Sequence, residues 1–291
     1  MGFIKEIWSD MIYQVLYEDP DLNLMFNRSM EQEVRSGGNK VHIPTIASGV
    51  TVTRTDNKSI GDGLPLTPKD VSKNEKTFDI YEYSTEPILI RNIDRIQSNR
   101  NLLQDNVQEI AQIFKEFILQ TIATHVINNV DSTHKLDWTG GTSGSKFSSY
   151  DLGVMGKTLD NAKILSNERF ALLKSDEELD LITESGMANW MAIQQSAILN
   201  KRLPLLMDFG INKSTLIPLT TAAGAIDETP ANNIKRNVVG WRKKHLHLAI
   251  QTDFEITGSE RAEYLGYLAA FTTRFGVFLE RSKGAVISTQ Q

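Results

Sequence analysis

Residues 40–95 constrain this chain most, because they read as strand yet cannot bury themselves. Between Val41 and Phe78 there is no phenylalanine, tyrosine or tryptophan. The apolar residues are mostly single and β-branched: Ile43, Ile46, Val50, Val52, Ile60 and Val71. Val41 and Ile43 begin a first strand that Pro44 is expected to stop. Val50 and Val52 then alternate with Thr51, Thr53 and Thr55, the period of a strand. Asn57 to Gly63 carries turn chemistry, with Gly61 and Gly63 supplying positive φ. Phe78 and Ile80 flank Asp79, and Tyr81 and Tyr83 take the other face. A two-stranded ribbon this poor in apolar area is marginal in water, and its open edges invite another chain. Such a segment is either disordered or covered by a neighbouring subunit.

The ribbon runs directly into one long helix, predicted over residues 99–129. Leu103, Val107, Ile110, Phe114, Phe117, Thr121 and His125 mark one stripe. Ala111, Ile118, Ile122 and Val126 widen it beyond the narrow seam of a coiled coil. Asn101 with Gln104 reads as a capping box at its start. At 1.5 Å per residue the helix spans roughly 45 Å, long enough to be an axis along which a domain packs.

The rest of the composition narrows the classes. A chain of 291 residues can bury about 75% of its unfolded surface. A net charge of −5 argues against a nucleic-acid binder driven by bulk charge. The absence of cysteine excludes disulfides, zinc–thiolate sites and a cysteine nucleophile. No apolar run is long enough for a membrane span, and Lys5, Glu6 and Asp10 break up any signal peptide.

Residues 1–37 read as an arm. Trp8, Met11, Ile12, Val15 and Leu16 recur at helical spacing, and Asp19-Pro20 ends that helix. The arm has two fates, packed on its own domain or docked on a neighbour. Residues 135–149 read as a glycine-rich loop, without the Gly-Lys-Ser/Thr ending of a phosphate-binding loop. A helix is expected from Asp151 to Leu165 and a buried strand from Phe170 to Leu173. A second helix is expected from Asp176 to Trp190, with Leu179, Ile182 and Met187 as its apolar residues. Residues 200–227 read as irregular, and residues 253–287 as strands. Strand tracts at both ends of the chain can meet in one sheet.

Candidate chemistry is sparse. His245 and His247 stand two apart, a spacing that puts both on one face of a strand as a metal pair. No carboxylate lies between Glu228 and Asp253 to complete a site locally, so packing histidines are the plainer reading. His125, on the apolar face of the long helix, reads as a hydrogen-bonded packing residue. Lys235, Arg236, Arg242, Lys243 and Lys244 form a basic patch with no acid among residues 229–252. It suits phosphates or an acidic partner surface, with no aromatic interleaving to read a base. No catalytic, metal or cofactor residues are assigned, and the chain is read as a non-enzyme. The alternative from another class is a soluble metal-dependent enzyme using His245 and His247.

Taken in order, the pieces resemble a known family. The opening Phe3-Ile4-Lys5-Glu6-Ile7-Trp8-Ser9, then Gly38-Asn39-Lys40-Val41-His42-Ile43-Pro44, are similar to two of its motifs. So are Thr77-Phe78-Asp79-Ile80 through Asp94-Arg95-Ile96-Gln97. Near the end, Phe275-Gly276-Val277-Phe278-Leu279-Glu280-Arg281 followed by Ala285-Val286-Ile287 resembles its closing strands. The chain is thereby similar, over nearly its whole length, to the major capsid protein of tailed double-stranded DNA bacteriophages, with the Hong Kong 97-like fold.

That resemblance implies an α+β fold with an N-terminal arm at 1–37 and an extended β-ribbon loop with its return strand at 38–95. A peripheral domain with the spine helix would cover 96–150 and an axial domain 151–249. Closing strands at 250–291 would return to the peripheral domain. It implies pentamers and hexamers of the chain itself, built in the host cytoplasm into the icosahedral capsid of a virion. Double-stranded DNA would be enclosed without sequence-specific contacts, and no membrane would be involved. Separate scaffolding, portal and decoration proteins are further expected partners. The loop tip at Lys58, Gly61, Asp62 and Gly63 would rest on the next subunit. Lys58, Lys69 and Lys73 lie where some members cross-link, but no partner constellation accompanies them. An encapsulin-like nanocompartment shell is the related alternative.

Overall fold

The computed structural model describes residues 24–35, 40–46, 73–86, 88–91, 100–140, 144–184, 208–221, 226–227, 235–261 and 266–291. In chain order these form α1 (Glu31–Arg35), β1 (Lys40–Ile46), β2 (Lys73–Asp79), β3 (Tyr81–Ser84) and β4 (Ile88–Arg91). Next come α2 (Arg100–Asn129), β5 (Lys135–Asp137), α3 (Ser149–Asn161), β6 (Arg169–Leu173) and α4 (Ser175–Thr183). The chain ends with β7 (Phe209–Lys213), β8 (Leu219–Thr220), β9 (Ile226–Asp227), β10 (Asn237–Arg242), β11 (Leu246–Arg261), β12 (Gly266–Leu279) and β13 (Ala285–Thr289). Helices and sheets are mixed as expected of an α+β fold.

Two sheets carry the body. In one, β12 is central, paired with β11 on one edge and with β3 and β4 on the other. Early and late strands thus share a sheet. Alternation decides its faces. Phe271, Phe275, Val277 and Leu279 of β12, with Leu246, Leu248 and Ile250 of β11, join the main core. There they meet Phe114, Ile118, Ile122, Val126 and Ile127 of α2. The predicted long helix is therefore present nearly to the residue, and it does lie along a sheet. Its start differs from expectation: α2 begins at Arg100, so Asn101 is already inside the helix and is not its cap.

The other sheet has the order β5-β13-β10-β6-β7, with β13 and β5 parallel, β6 and β7 parallel, and the remaining pairs antiparallel. One face sends Leu172, Val239, Trp241, Ala285 and Ile287 into the main core. The opposite face sends Ala171, Leu173, Val238 and Val286 into a second core with Leu152, Met155 and Leu159 of α3 and Leu181 of α4. Gly240 permits that close layer, since a Cβ there would stand 2.9 Å from Met155 Cε.

Local chemistry explains the ends of α3. Ser148 is its N-cap, and Ser148 N donates to Asp151 Oδ2 at 3.0 Å while Asp151 N donates to Ser148 Oγ at 3.3 Å, a reciprocal capping box. The helix therefore starts two residues before the expected Asp151. Arg169 closes the other end: its guanidinium donates to Leu165 O at 3.0 Å, to Gly156 O at 3.4 Å and to Ile164 O, and pairs with Asp160 at 2.6 Å. Leu165, expected on the helix, lies beyond it and is exposed.

Several expectations need correction. Pro44 does not stop β1, which continues to Ile46 with Pro44 opposite Glu75. Among the described residues β1 has β2 as its one partner strand, and an edge strand tolerates the missing donor. In α4 the buried apolar residue is Leu181, while Leu179 and Ile182 face outward. Acid-rich spacing masked which side faces the core. Residues 209–213, read as irregular, form β7, and β10 lies within the supposed patch region. β11 and β12 pack on α2, while β13 pairs with β10 and β5 in the five-stranded sheet and sends Ala285 and Ile287 into the same core.

Candidate assembly surfaces

The ribbon exists where it leaves the body. Its β1 and β2 pair antiparallel from Lys40 opposite Asp79 to Ile46 opposite Lys73. The tip residues Lys58, Gly61, Asp62 and Gly63 lie outside the described residues, as does Lys69. The root is clamped on the face of β12 turned away from α2. Phe78 stacks on Phe278 with ring centroids 5.4 Å apart, and Lys76 Nζ donates to Glu280 O at 2.7 Å. Gly276 lets the ribbon cross this closely: a Cβ there would stand 2.8 Å from Asp79 O. Val34, Phe78, Ile80 and Ala249 are buried together, with Met30 and Phe278 against them. Beyond the root, β3 joins the sheet edge, where Tyr83 stacks on Phe275 at 4.4 Å and meets Phe117 of α2 edge-on at 5.2 Å.

Of the arm's two fates, residues 24–35 take the first. Phe26 stacks on Trp241 at 5.5 Å, and Trp241 Nε1 donates to Met25 O at 3.0 Å. Asn27 N donates to Leu246 O at 3.0 Å, and Leu248 N to Asn27 O at 3.1 Å, extending the sheet past β11. Residues 1–23 lie outside the described residues.

His245 and His247 do converge, on a partner that spacing could not reveal. His245 Nδ1 is 3.4 Å and His247 Nε2 3.6 Å from Glu280 Oε2. Both imidazoles are buried, and neither ring nitrogen of His247 makes a hydrogen bond. The 3.6 Å approach is too long for a hydrogen bond. Among the described residues no group of three His, Asp or Glu side chains is arranged to hold a metal ion. The imidazoles of His245 and then His247 hold the Glu280 carboxyl far below the usual range, against burial, which pushes it up. His125 acts as expected: Leu279 N donates to its Nε2 at 3.3 Å, and burial lowers its pKa.

The depressed Glu280 has a testable sign. Its contribution to stability is present above the ordinary carboxylate value of about 4.3 and is lost as pH falls below it. A Glu280→Gln variant should melt below wild type at pH 7, and the two melting temperatures should converge under strongly acid conditions. A gap independent of pH would show that the carboxylate charge is not what matters.

The predicted basic patch divides between the ends of β10. At its start, Lys235 is half-buried and Arg236 is committed: the guanidinium lies 5.1 Å over Trp138, donates to Ser145 O at 3.1 Å and faces Asp176, Glu177 and Asp180 at 3.5–3.7 Å. Burial raises the pKa of Glu177 there, with Arg236 opposing. At the other end Arg242 is held by Asn167 O and Oδ1 at 3.3 and 3.1 Å. Lys243 and Lys244 follow it, half-buried and exposed respectively. The contacts that sequence reading missed are those of Glu280, Gly276 and Phe278, read there only as part of a motif, because they join strands far apart in sequence.

No protein-family model and no curated protein matches the chain. Solved structures do. One from Mycobacterium phage Che8 is 18% identical, covers 92% of this chain and 89% of its own, and gives a TM-score of 0.61. The capsid of Ralstonia phage GP4 is 11% identical over 91% of this chain and 86% of its own, with a TM-score of 0.63. The SrpI encapsulin complex of Synechococcus elongatus is 10% identical over 86% of this chain and 81% of its own, with a TM-score of 0.51. The ribbon root, the long helix under a mixed sheet and these end-to-end matches lead to one conclusion: the chain has the Hong Kong 97-like fold of tailed-phage capsid proteins.

Proposed function

We propose that this chain is the major capsid protein of a tailed phage, and that its activity is self-assembly, not catalysis. Pentamers and hexamers of the chain would close into the icosahedral shell of a virion, formed in the host cytoplasm around double-stranded DNA. The observation that carries this reading is the ribbon: a clamped root leading into a stretch with no core-forming aromatics, on a fold shared with phage capsids. A neighbouring copy would bury that stretch and pair its edges, with the tip at Lys58, Gly61, Asp62 and Gly63 resting on it. The β11–β12 sheet with α2 serves as the peripheral domain, and the β6–β10 sheet with α3 and α4 as the axial domain. Portal, scaffolding and decoration proteins would be supplied separately.

The encapsulin reading is second. Its support is weaker, since the encapsulin match reaches a TM-score of 0.51 against 0.63 for a phage capsid. The metal-enzyme reading lacks geometric support, because among the described residues no three His, Asp or Glu side chains, His245, His247 and Glu280 included, are arranged to hold a metal ion.

Limited proteolysis tests the ribbon's part. In unassembled protein the first cuts should fall between residues 57 and 74, because free loop tips are cleaved preferentially. Particles should protect that stretch. Equal cleavage in both states would mean that the ribbon does not dock on a neighbour.

A further inference from the structure

One end of the five-stranded sheet gathers cations that the sequence scatters over more than a hundred residues. β6, β10 and β13 are adjacent in that sheet, and antiparallel pairing brings the end of β10 beside the starts of β6 and β13. Lys163 lies in the segment before β6, Lys243 and Lys244 follow β10, and Arg281 and Lys283 precede β13. Hydrogen bonds tie these segments together. Lys243 N donates to Glu168 O at 2.9 Å, Glu280 N to His245 O at 2.9 Å, and Arg281 Nη2 to Ala162 O at 3.3 Å. Lys163, Lys244, Arg281 and Lys283 are exposed and Lys243 half-exposed.

The acids nearby are largely committed. Asp160 pairs with buried Arg169 at 2.6 Å, and Glu280 faces two histidines. Asp131 accepts from Thr133 N and Oγ1 at 3.0 and 2.7 Å and also feels the charge of Lys283, which helps to lower its pKa, and Glu168 is exposed on these turns. Among the described residues none of the five cations is in an ion pair. Neighbouring strands lie about 4.8 Å apart, so three strand ends set out a row roughly 10 Å long.

We propose that Lys163, Lys243, Lys244, Arg281 and Lys283 form a contact surface for the phosphate backbone of double-stranded DNA. A row of charge fits a linear polyanion better than it fits a single acidic side chain. Four of the five are lysines, which meet phosphate as mobile point charges. No aromatic residue stands among them to stack on a base, so the contact is independent of sequence. The net charge of −5 keeps it weak, a touching surface inside a container and not a clamp. The proposal rests on the shell reading for why DNA is present, but it is measured without particles.

The test uses the full chain, unassembled, and a labelled duplex of about 30 base pairs, followed by fluorescence anisotropy between about 50 and 200 mM salt. Each lost phosphate contact lowers the slope of log K against log salt by about 0.9. The triple variant Lys163→Gln, Lys243→Gln, Lys244→Gln should therefore lower the slope by about 2 to 3 and weaken binding at low salt at least tenfold. The matched triple Lys146→Gln, Lys213→Gln, Lys235→Gln, at the opposite end of the sheet, should leave both unchanged. All six lysines are surface residues, and circular dichroism checks that both variants fold.

Equal slopes in the two variants would overturn the proposal. So would wild-type protein that ignores the duplex, including the case in which it binds poly-glutamate through the same lysines, which would assign the surface to an acidic polypeptide. Either result leaves the shell reading standing if particles form, whereas absence of particles would sink that reading whatever the duplex does.

Discussion

Replacing Arg169 by methionine is expected to destabilise the folded chain by about 3 kcal/mol, the scale for leaving buried carbonyl acceptors unsatisfied. Arg169 is 1% exposed and closes the C-terminal end of α3 through Gly156 O, Ile164 O and Leu165 O. Its positive charge also sits where the helix dipole favours a cation. Methionine fills the volume but removes the guanidinium donor from Ile164 O and Leu165 O, while Gly156 O, inside α3, keeps its helical donor. The partner change separates the two causes. Asp160 is 61% exposed, so Asp160→Asn should cost less than about 1 kcal/mol. Urea unfolding of both variants gives the comparison. Similar losses would mean that the ion pair, and not the helix-closing bonds, is the main term.

Phe78→Ala is expected to abolish assembly while leaving a folded subunit. Phe78 is the ribbon's main grip on the body, through its stack on Phe278 and its fit against Gly276. The cluster it belongs to holds four buried residues and is separate from the main core, so its loss loosens the root without opening the body. Phe78→Leu restores an apolar contact of similar reach and should recover part of the particle yield. Sedimentation of wild type and both variants reads the outcome directly. Particles formed by Phe78→Ala at the wild-type level would mean that root geometry is not needed for docking.

What could be read from sequence follows from how local each signal is. The long helix was legible because its apolar stripe repeats over many turns, and Ala111, Ile118, Ile122 and Val126 all proved buried. The ribbon was legible from what it lacks. Pro44 misled because an edge strand relaxes the rule that a sheet interior enforces. Leu179 and Ile182 misled because in a helix of nine residues one buried Leu181 decides the face. β10 was hidden because, buried on both faces, it lacks the polar alternation that marks a half-exposed strand, and β7 because this short edge strand carries Gly210 and Asn212, which read as turn residues. Glu280 was invisible as the partner of His245 and His247, because only the β11–β12 pairing, with Leu246 opposite Leu279, brings them together. The same holds for the lysine row, whose members meet through sheet order and not through spacing.

The self-assembly claim is tested most directly by negative-stain electron microscopy of the purified full chain, alone and with co-expressed neighbouring gene products. Uniform closed particles tens of nanometres across, built of five- and six-fold clusters, are the expected result. A chain that stays a folded monomer under every such condition would contradict it.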